Sequence, residues 1–179
     1  MKGMVKFLQQ ANKLKILKRA GWVKLNIENP ESVADHTYRT AMMAIVLCPP
    51  ELDKGKVLKM AIIHDLAETV VGDIITNHND TPEFKKAKHE KEKRAMRDIV
   101  KDLDKETAHE LISVWDEFEE QKTGEARFAK ELDKLEMVFQ AFEYEKKPDE
   151  SFDSFWESTK AMVKHPKLVE LLNELREQR

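Results

Sequence analysis

Two histidines and two aspartates scattered along the chain, His36, His64, Asp65 and Asp133, are the residues best suited to chemistry. Two imidazoles and two carboxylates make a hard-to-borderline ligand set, suited to a six-coordinate divalent cation that keeps some of its water. Water bound to such an ion is a nucleophile near neutral pH, so the set points to hydrolysis, most naturally at phosphorus. The His64-Asp65 pair alone carries little weight, because so short a motif recurs by chance. Its meaning depends on its surroundings and on a fold able to gather residues spread over half the chain.

Two more acids follow the pair. Glu68 lies three residues after Asp65, on roughly the same face if the helix continues. Asp73 follows Gly72, where the backbone can turn tightly. One carboxylate could orient or deprotonate the attacking water while the other protonates the departing oxygen; the competing reading is ordinary surface acids near a helix end. Asp133, close to Leu132 and Leu135, would be a costly carboxylate beside the core unless it faces a cation, either a metal or Lys130 or Lys134. A lone His36 in a first helical turn would ordinarily be a surface residue or a satisfied core one.

The elements that must position these groups read as helices throughout, with no alternating strand pattern. A first helix is expected from about Val5 to Arg19, with Phe7, Leu8, Ala11, Leu14 and Leu17 inward and Gly21 as a C-terminal stop. Ser32 to Asp35 reads as a capping box, which puts His36 in the first turn of a helix ending before Pro49-Pro50. The next helix starts near Asp53, carries Val57, Met60, Ala61 and Ile63 on its apolar side, and has His64 and Asp65 near its far end. Adjacent residues point about 100° apart in mid-helix, so a helix end suits that pair better. Val70 to Asp73 turns the chain away, and Thr81-Pro82 opens a long helix to about Lys101 with a charged, solvated face. Further helices are expected over Thr107 to Phe118, from Gly124 to about Tyr144, over Phe152 to Val163, and after Pro166. Each ligand except the adjacent pair thus rides on its own helix.

The 179 residues suit one all-α domain spanning 1–179. A formal net charge of −3 argues against a large nucleic-acid surface. The single cysteine, Cys48, excludes an internal disulfide and a cysteine-rich zinc site, and its apolar setting predicts a buried thiol. No apolar run approaches the roughly 20 residues of a membrane span, and the N-terminus lacks a signal-peptide core, so a cytoplasmic location is expected.

The segments PESVADHTYRTAMMA, AIIHDLAETVVGDI and ARFAKELDKLEMVFQAFEYE resemble the HD-domain metal-dependent phosphohydrolases, and within them the small 5′-deoxynucleotidase branch. The resemblance runs from about residue 14 to residue 144. It implies a helical HD-domain bundle whose metal site lies among the central helices, with the helices of 152–179 packing on that core or forming a dimer face. It also implies His36, His64, Asp65 and Asp133 as ligands of one divalent ion (Co²⁺, Mn²⁺, Mg²⁺, Zn²⁺, Ni²⁺ or Fe²⁺), with Glu68 and Asp73 as the catalytic acids. Arg19 and Trp22, within KRAGW, match the branch's nucleotide-contacting Arg and Trp, although two residues separate them here. Their independent readings are a helix-end cation for Arg19 and a core or dimer-interface aromatic for Trp22.

Relatives acting on cyclic nucleotides often add histidines that hold a second metal. Here His89 and His109 are expected to be exposed, His78 to sit in a loop near the site and His165 at the surface, which leaves one metal. The expected reaction is hydrolysis of a deoxyribonucleoside 5′-monophosphate to deoxynucleoside and phosphate, by in-line attack of a metal-bound water, in a cytoplasmic homodimer. The alternatives are a nucleoside triphosphate or cyclic nucleotide as substrate, or a non-catalytic metal- and nucleotide-binding module.

Overall fold

The computed structural model describes residues 1–76, 80–145 and 152–179. The described chain folds as α1 (Lys2–Ala11), a 3₁₀ turn (Asn12–Lys15), α2 (Ala20–Lys24), α3 (Val33–Leu47), α4 (Lys54–Ile63), α5 (Glu68–Val71), α6 (Pro82–Val100), α7 (Lys105–Glu120), α8 (Gly124–Tyr144), α9 (Asp153–Met162) and α10 (Pro166–Glu177). Local chemistry sets most of these boundaries. The Ser32 and Asp35 side chains form the expected capping box at α3, Asp53 caps α4, and Thr81 caps α6 with Pro82 in its first turn. Asp104 and Thr123 cap α7 and α8 in the same way.

The first helix departs from expectation. It stops at Ala11 instead of reaching Arg19, Leu8 is 59% exposed, and Gly21 lies inside α2 instead of ending a helix. A 3₁₀ turn follows α1, and beyond it a competing set of backbone bonds takes over. Val33 N–H donates to Leu17 O at 2.8 Å and Arg19 N–H to Glu31 O at 3.1 Å, so residues 17–19 run alongside 31–33 and cannot continue a helix. This pairing ties Arg19 to the segment that leads into α3.

Two apolar clusters fill the interior. One joins α3, α4 and α8 to α9 and α10 through Met60, Phe118, Leu132, Leu135, Phe152, Trp156, Leu168 and Leu172. The other lies among α6, α7 and the turn after α4, around Ile63, Leu66, Met96, Val100 and Trp115. The C-terminal helices therefore pack on α8 of their own chain. Cys48 is buried, as its setting predicted. Among the described residues, no helix is long and apolar enough to cross a membrane.

Candidate metal centre

α3 delivers His36 from its first turn, the end of α4 delivers His64 and Asp65, and the middle of α8 delivers Asp133. The structure brings these four together at the seam between the clusters. His36 Nε2 lies 3.3 Å from His64 Nε2 and 3.3 Å from Asp133 Oδ1. Asp65 Oδ2 lies 3.2 Å from His64 Nε2 and 3.7 Å from His36 Nε2.

The far side of each ring fixes which nitrogen carries a proton. His64 Nδ1 donates to the carbonyl of Ala61 at 2.9 Å, and a carbonyl can only accept. His36 Nδ1 donates to the buried carboxylate of Glu136. In their neutral forms both rings therefore turn bare Nε2 lone pairs towards each other and towards two carboxylate oxygens. Asp65 Oδ2 is buried and accepts no hydrogen bond. His36 Nε2, His64 Nε2 and Asp65 Oδ2 cluster within 4.8 Å of one another, and Asp133 Oδ1 adds a fourth oxygen on the His36 side. Repelling lone pairs so close together make sense when a cation sits among them, so the donor set fits a divalent metal ion.

The same geometry attracts a proton when no metal is present. Burial and the Arg19 charge oppose a His36 imidazolium, yet Glu136 and Asp133 outweigh them and push its pKa up to about 9. Burial also works against ionised Asp65 and Asp133. His64, His36 and Arg19 nevertheless hold Asp65 well below the usual carboxylate range, and Lys130 and Lys134 do the same for Asp133.

Around the candidate ligands lie the acids suited to proton handling. Glu68 starts α5 and is buried, with one carboxylate oxygen lacking any partner. Burial and the charges of Asp65 and Asp73 push its carboxyl well above the ordinary value, which favours the neutral acid. Asp73 follows Gly72, whose φ of +79° makes the turn that the sequence suggested. Asp73 Oδ2 accepts the backbone N–H of Ala20 at 2.6 Å, at the start of α2 and next to Arg19. Arg19 reaches in from that side, with Nη1 3.5 Å from Asp65 Oδ2 and its side chain 14% exposed.

Trp22 is placed differently from a base-stacking residue. It is 2% exposed, wedged edge-on to Tyr144 and Phe152 and tilted against Phe155, and its Nε1 donates to Glu31 Oε1 at 2.8 Å. A ring covered on all sides packs the core. His89 also departs from expectation: it is half-buried, stacked on Trp115, with Nδ1 3.3 Å from Glu119 Oε2. His109 is exposed, as expected, whereas His165 is half-buried with its ring edge-on to Phe128. His78 lies outside the described residues.

Several functional neighbours escaped the sequence reading. Glu136 is fully buried behind His36 and accepts Arg39 Nε at 2.8 Å, while Arg39 also binds Gln140 and Glu143. Glu31 completes this charged backing, its carboxyl pushed up to about 7 by burial and by Glu136. The missed signal was spacing: Arg39 follows His36 by three residues on α3, and Glu136 follows Asp133 by three on α8, each one turn along the ligand's own face. Lys130 and Lys134, the two cations that rival a metal for Asp133, both reach it, with Nζ 2.9 Å and 3.7 Å from Asp133 Oδ2.

Comparison with known proteins places this geometry in context. A family model described as an HD domain matches residues 11–176. The chain is 42% identical over 180 residues to 5′-deoxynucleotidase HDDC2 of Mus musculus, covering 99% of this chain and 88% of that protein. Among solved structures, it resembles a conserved hypothetical protein from Pyrococcus furiosus with a TM-score of 0.79 and 32% identity, over 97% of this chain and 99% of that one. It also resembles a predicted metal-dependent phosphohydrolase from Magnetospirillum magnetotacticum, with a TM-score of 0.68 and 26% identity, over 97% of this chain and 84% of that one.

Proposed function

This chain belongs to the HD-domain family, and from that premise we propose that it hydrolyses deoxyribonucleoside 5′-monophosphates to deoxynucleoside and phosphate, using one divalent cation. The observation that carries the reading is the cluster of three lone-pair donors, His36 Nε2, His64 Nε2 and Asp65 Oδ2, with Asp133 Oδ1 against His36 Nε2 and two further acids nearby. Likeness to proteins named 5′-deoxynucleotidase supports the choice of substrate class.

His36, His64, Asp65 and Asp133 would hold the ion, which we take to be one of Co²⁺, Mn²⁺, Mg²⁺, Zn²⁺, Ni²⁺ or Fe²⁺. When bound, such an ion offsets phosphoryl charge and acidifies water enough to supply a nucleophile near neutral pH. Arg19 grips the phosphate through its forked guanidinium, held in place by the pairing of residues 17–19 with 31–33. Glu68, favoured as the neutral acid, gives its proton to the departing 5′ oxygen. Asp73 takes the proton of the attacking water, using the carboxylate oxygen that Ala20 leaves free.

The proposal also includes a homodimer in the cytoplasm, with no nucleic-acid polymer as partner. An exposed apolar stripe on α3, formed by Tyr38, Met42 and Ile45, supports the dimer. Its mass in solution tests that part.

The central test is phosphate release from dAMP, dTMP and AMP with each ion in turn. The wild type releases phosphate from the deoxynucleotides with at least one ion. His64→Ala abolishes the release, and Glu68→Gln lowers kcat by roughly 10²–10⁴-fold. Equal release by wild type and His64→Ala overturns the reading.

A further inference from the structure

Lys130 and Lys134 stand on α8 either side of Asp133, three residues before it and one after. Lys130 Nζ is 2.9 Å from Asp133 Oδ2 and Lys134 Nζ 3.7 Å from the same oxygen, while Oδ1 of that carboxylate is the atom that faces His36 Nε2. Two ammoniums on one carboxylate are more than neutrality requires. A divalent ion among the four ligands would also claim the negative charge of Asp133, leaving both lysines short of a counter-charge. The other acids acting on Lys130 are Glu119, whose carboxylate is already engaged by His89, and Asp65, itself one of the four proposed ligands. Lys130 also lies over the face of Phe118, which anchors its stem without neutralising it. The side chains are not sealed: Lys130 is 24% and Lys134 22% exposed, more open than Arg19 on the Asp65 side.

We propose that Lys130 and Lys134 form a second phosphate-binding wall on the Asp133 side of the site, complementing Arg19 on the Asp65 side, and that a cation taking over the charge of Asp133 frees them for it. The ligand class is a phosphate monoester dianion or inorganic phosphate, whose outer oxygens suit ammonium donors. The inference rests on the proposed phosphohydrolase reading and deepens it. Cation and phosphate then bind with positive coupling, because the first makes the donors of the second available. The rival role is purely structural, with the lysines serving only to neutralise Asp133.

Calorimetric titration of inorganic phosphate into Co²⁺-loaded and Co²⁺-free protein, with a parallel Co²⁺ titration, separates the two roles. The wild type binds phosphate at least about tenfold more tightly when loaded. Lys130→Met loses about tenfold in phosphate affinity, the worth of one charge-assisted hydrogen bond, and Lys134→Met loses less. Lys130→Arg restores most of the loss. Co²⁺ binds Lys130→Met as tightly as the wild type or more so, since a competitor for Asp133 is gone. Phosphate affinity within twofold of wild type in Lys130→Met, or Co²⁺ affinity falling in step with it, overturns the inference. If the loaded wild type binds no phosphate and releases none from dAMP, the parent reading falls as well. If the wild type hydrolyses dAMP while Lys130→Met binds phosphate normally, only the inference falls.

Discussion

His36 presents its Nε2 because Glu136 and Arg39 hold the opposite side of the ring, whereas His64 presents the same atom because the end of α4 leaves the Ala61 carbonyl free to accept its Nδ1–H. The first support is ionic, buried, and assembled from residues about a hundred positions apart. The second is neutral, local and inherent in any helix end. The Trp115 indole N–H, donating to His64 O at 3.1 Å, and the Phe118 ring beside the imidazole add distant ties to that half. An anionic acceptor strengthens the donor power of the imidazole it holds, and a neutral carbonyl mainly orients it. Of the two candidate ligands, one is tuned and the other merely aimed.

The comparison can be broken most decisively at Glu136. Glu136→Gln keeps the shape and a hydrogen-bond acceptor but removes the charge. It is expected to weaken divalent-metal affinity by roughly 10–100-fold at alkaline pH, while metal bound at saturation still supports turnover. Co²⁺ titration followed by absorbance checks this. An unchanged affinity would show that the ionic support is no stronger than the neutral one.

The pH dependence sharpens the same point. With its pKa raised to about 9, His36 carries a proton at neutral pH when no metal is bound, so proton and metal compete for Nε2. Wild-type affinity therefore climbs as pH rises and levels off above about 9, where the proton is gone. Without the Glu136 charge the imidazole titrates nearer its ordinary value, about 6.5. The climb then ends earlier, and the gap between wild type and Glu136→Gln narrows as pH falls. A gap that stays constant from acid to alkaline pH would contradict this account.

The smallest effect belongs to the His64 half. Trp115→Phe removes the indole N–H from His64 O at the cost of about 1–2 kcal/mol of stability, read by thermal or denaturant unfolding. Metal affinity should stay within about threefold of wild type, since the Ala61 carbonyl still orients the ring. A loss as large as that of Glu136→Gln would erase the distinction between the two supports.

The same division explains what the sequence could reveal. Ser32, Asp53, Thr81, Pro82 and Thr123 act on neighbours three or four residues away, and the helix starts they mark are where a reader of the chain would put them. The HD pair and its following acids were legible for a related reason: they sit within ten residues at a helix end. Arg19 and Trp22 were harder, because residues 17–19 bond to 31–33 instead of extending a helix, a pairing that no helical periodicity encodes. Trp22 reads as exposed or buried with equal ease until Tyr144, Phe152 and Phe155 close around it from the far end of the chain. Glu136 and Arg39 belong to the same class. Each lies one turn from a ligand, yet only the packing of α3 against α8 makes them partners.

The hydrogen bond from Ala20 N–H to Asp73 Oδ2 joins segments 53 residues apart in sequence into a single rim. Arg19 and Asp73 are thereby tied to one another through the backbone of Ala20. In the proposed reaction a phosphate drawn to the guanidinium would also bear on the carboxylate assigned to the attacking water, so substrate capture and proton removal would share one support.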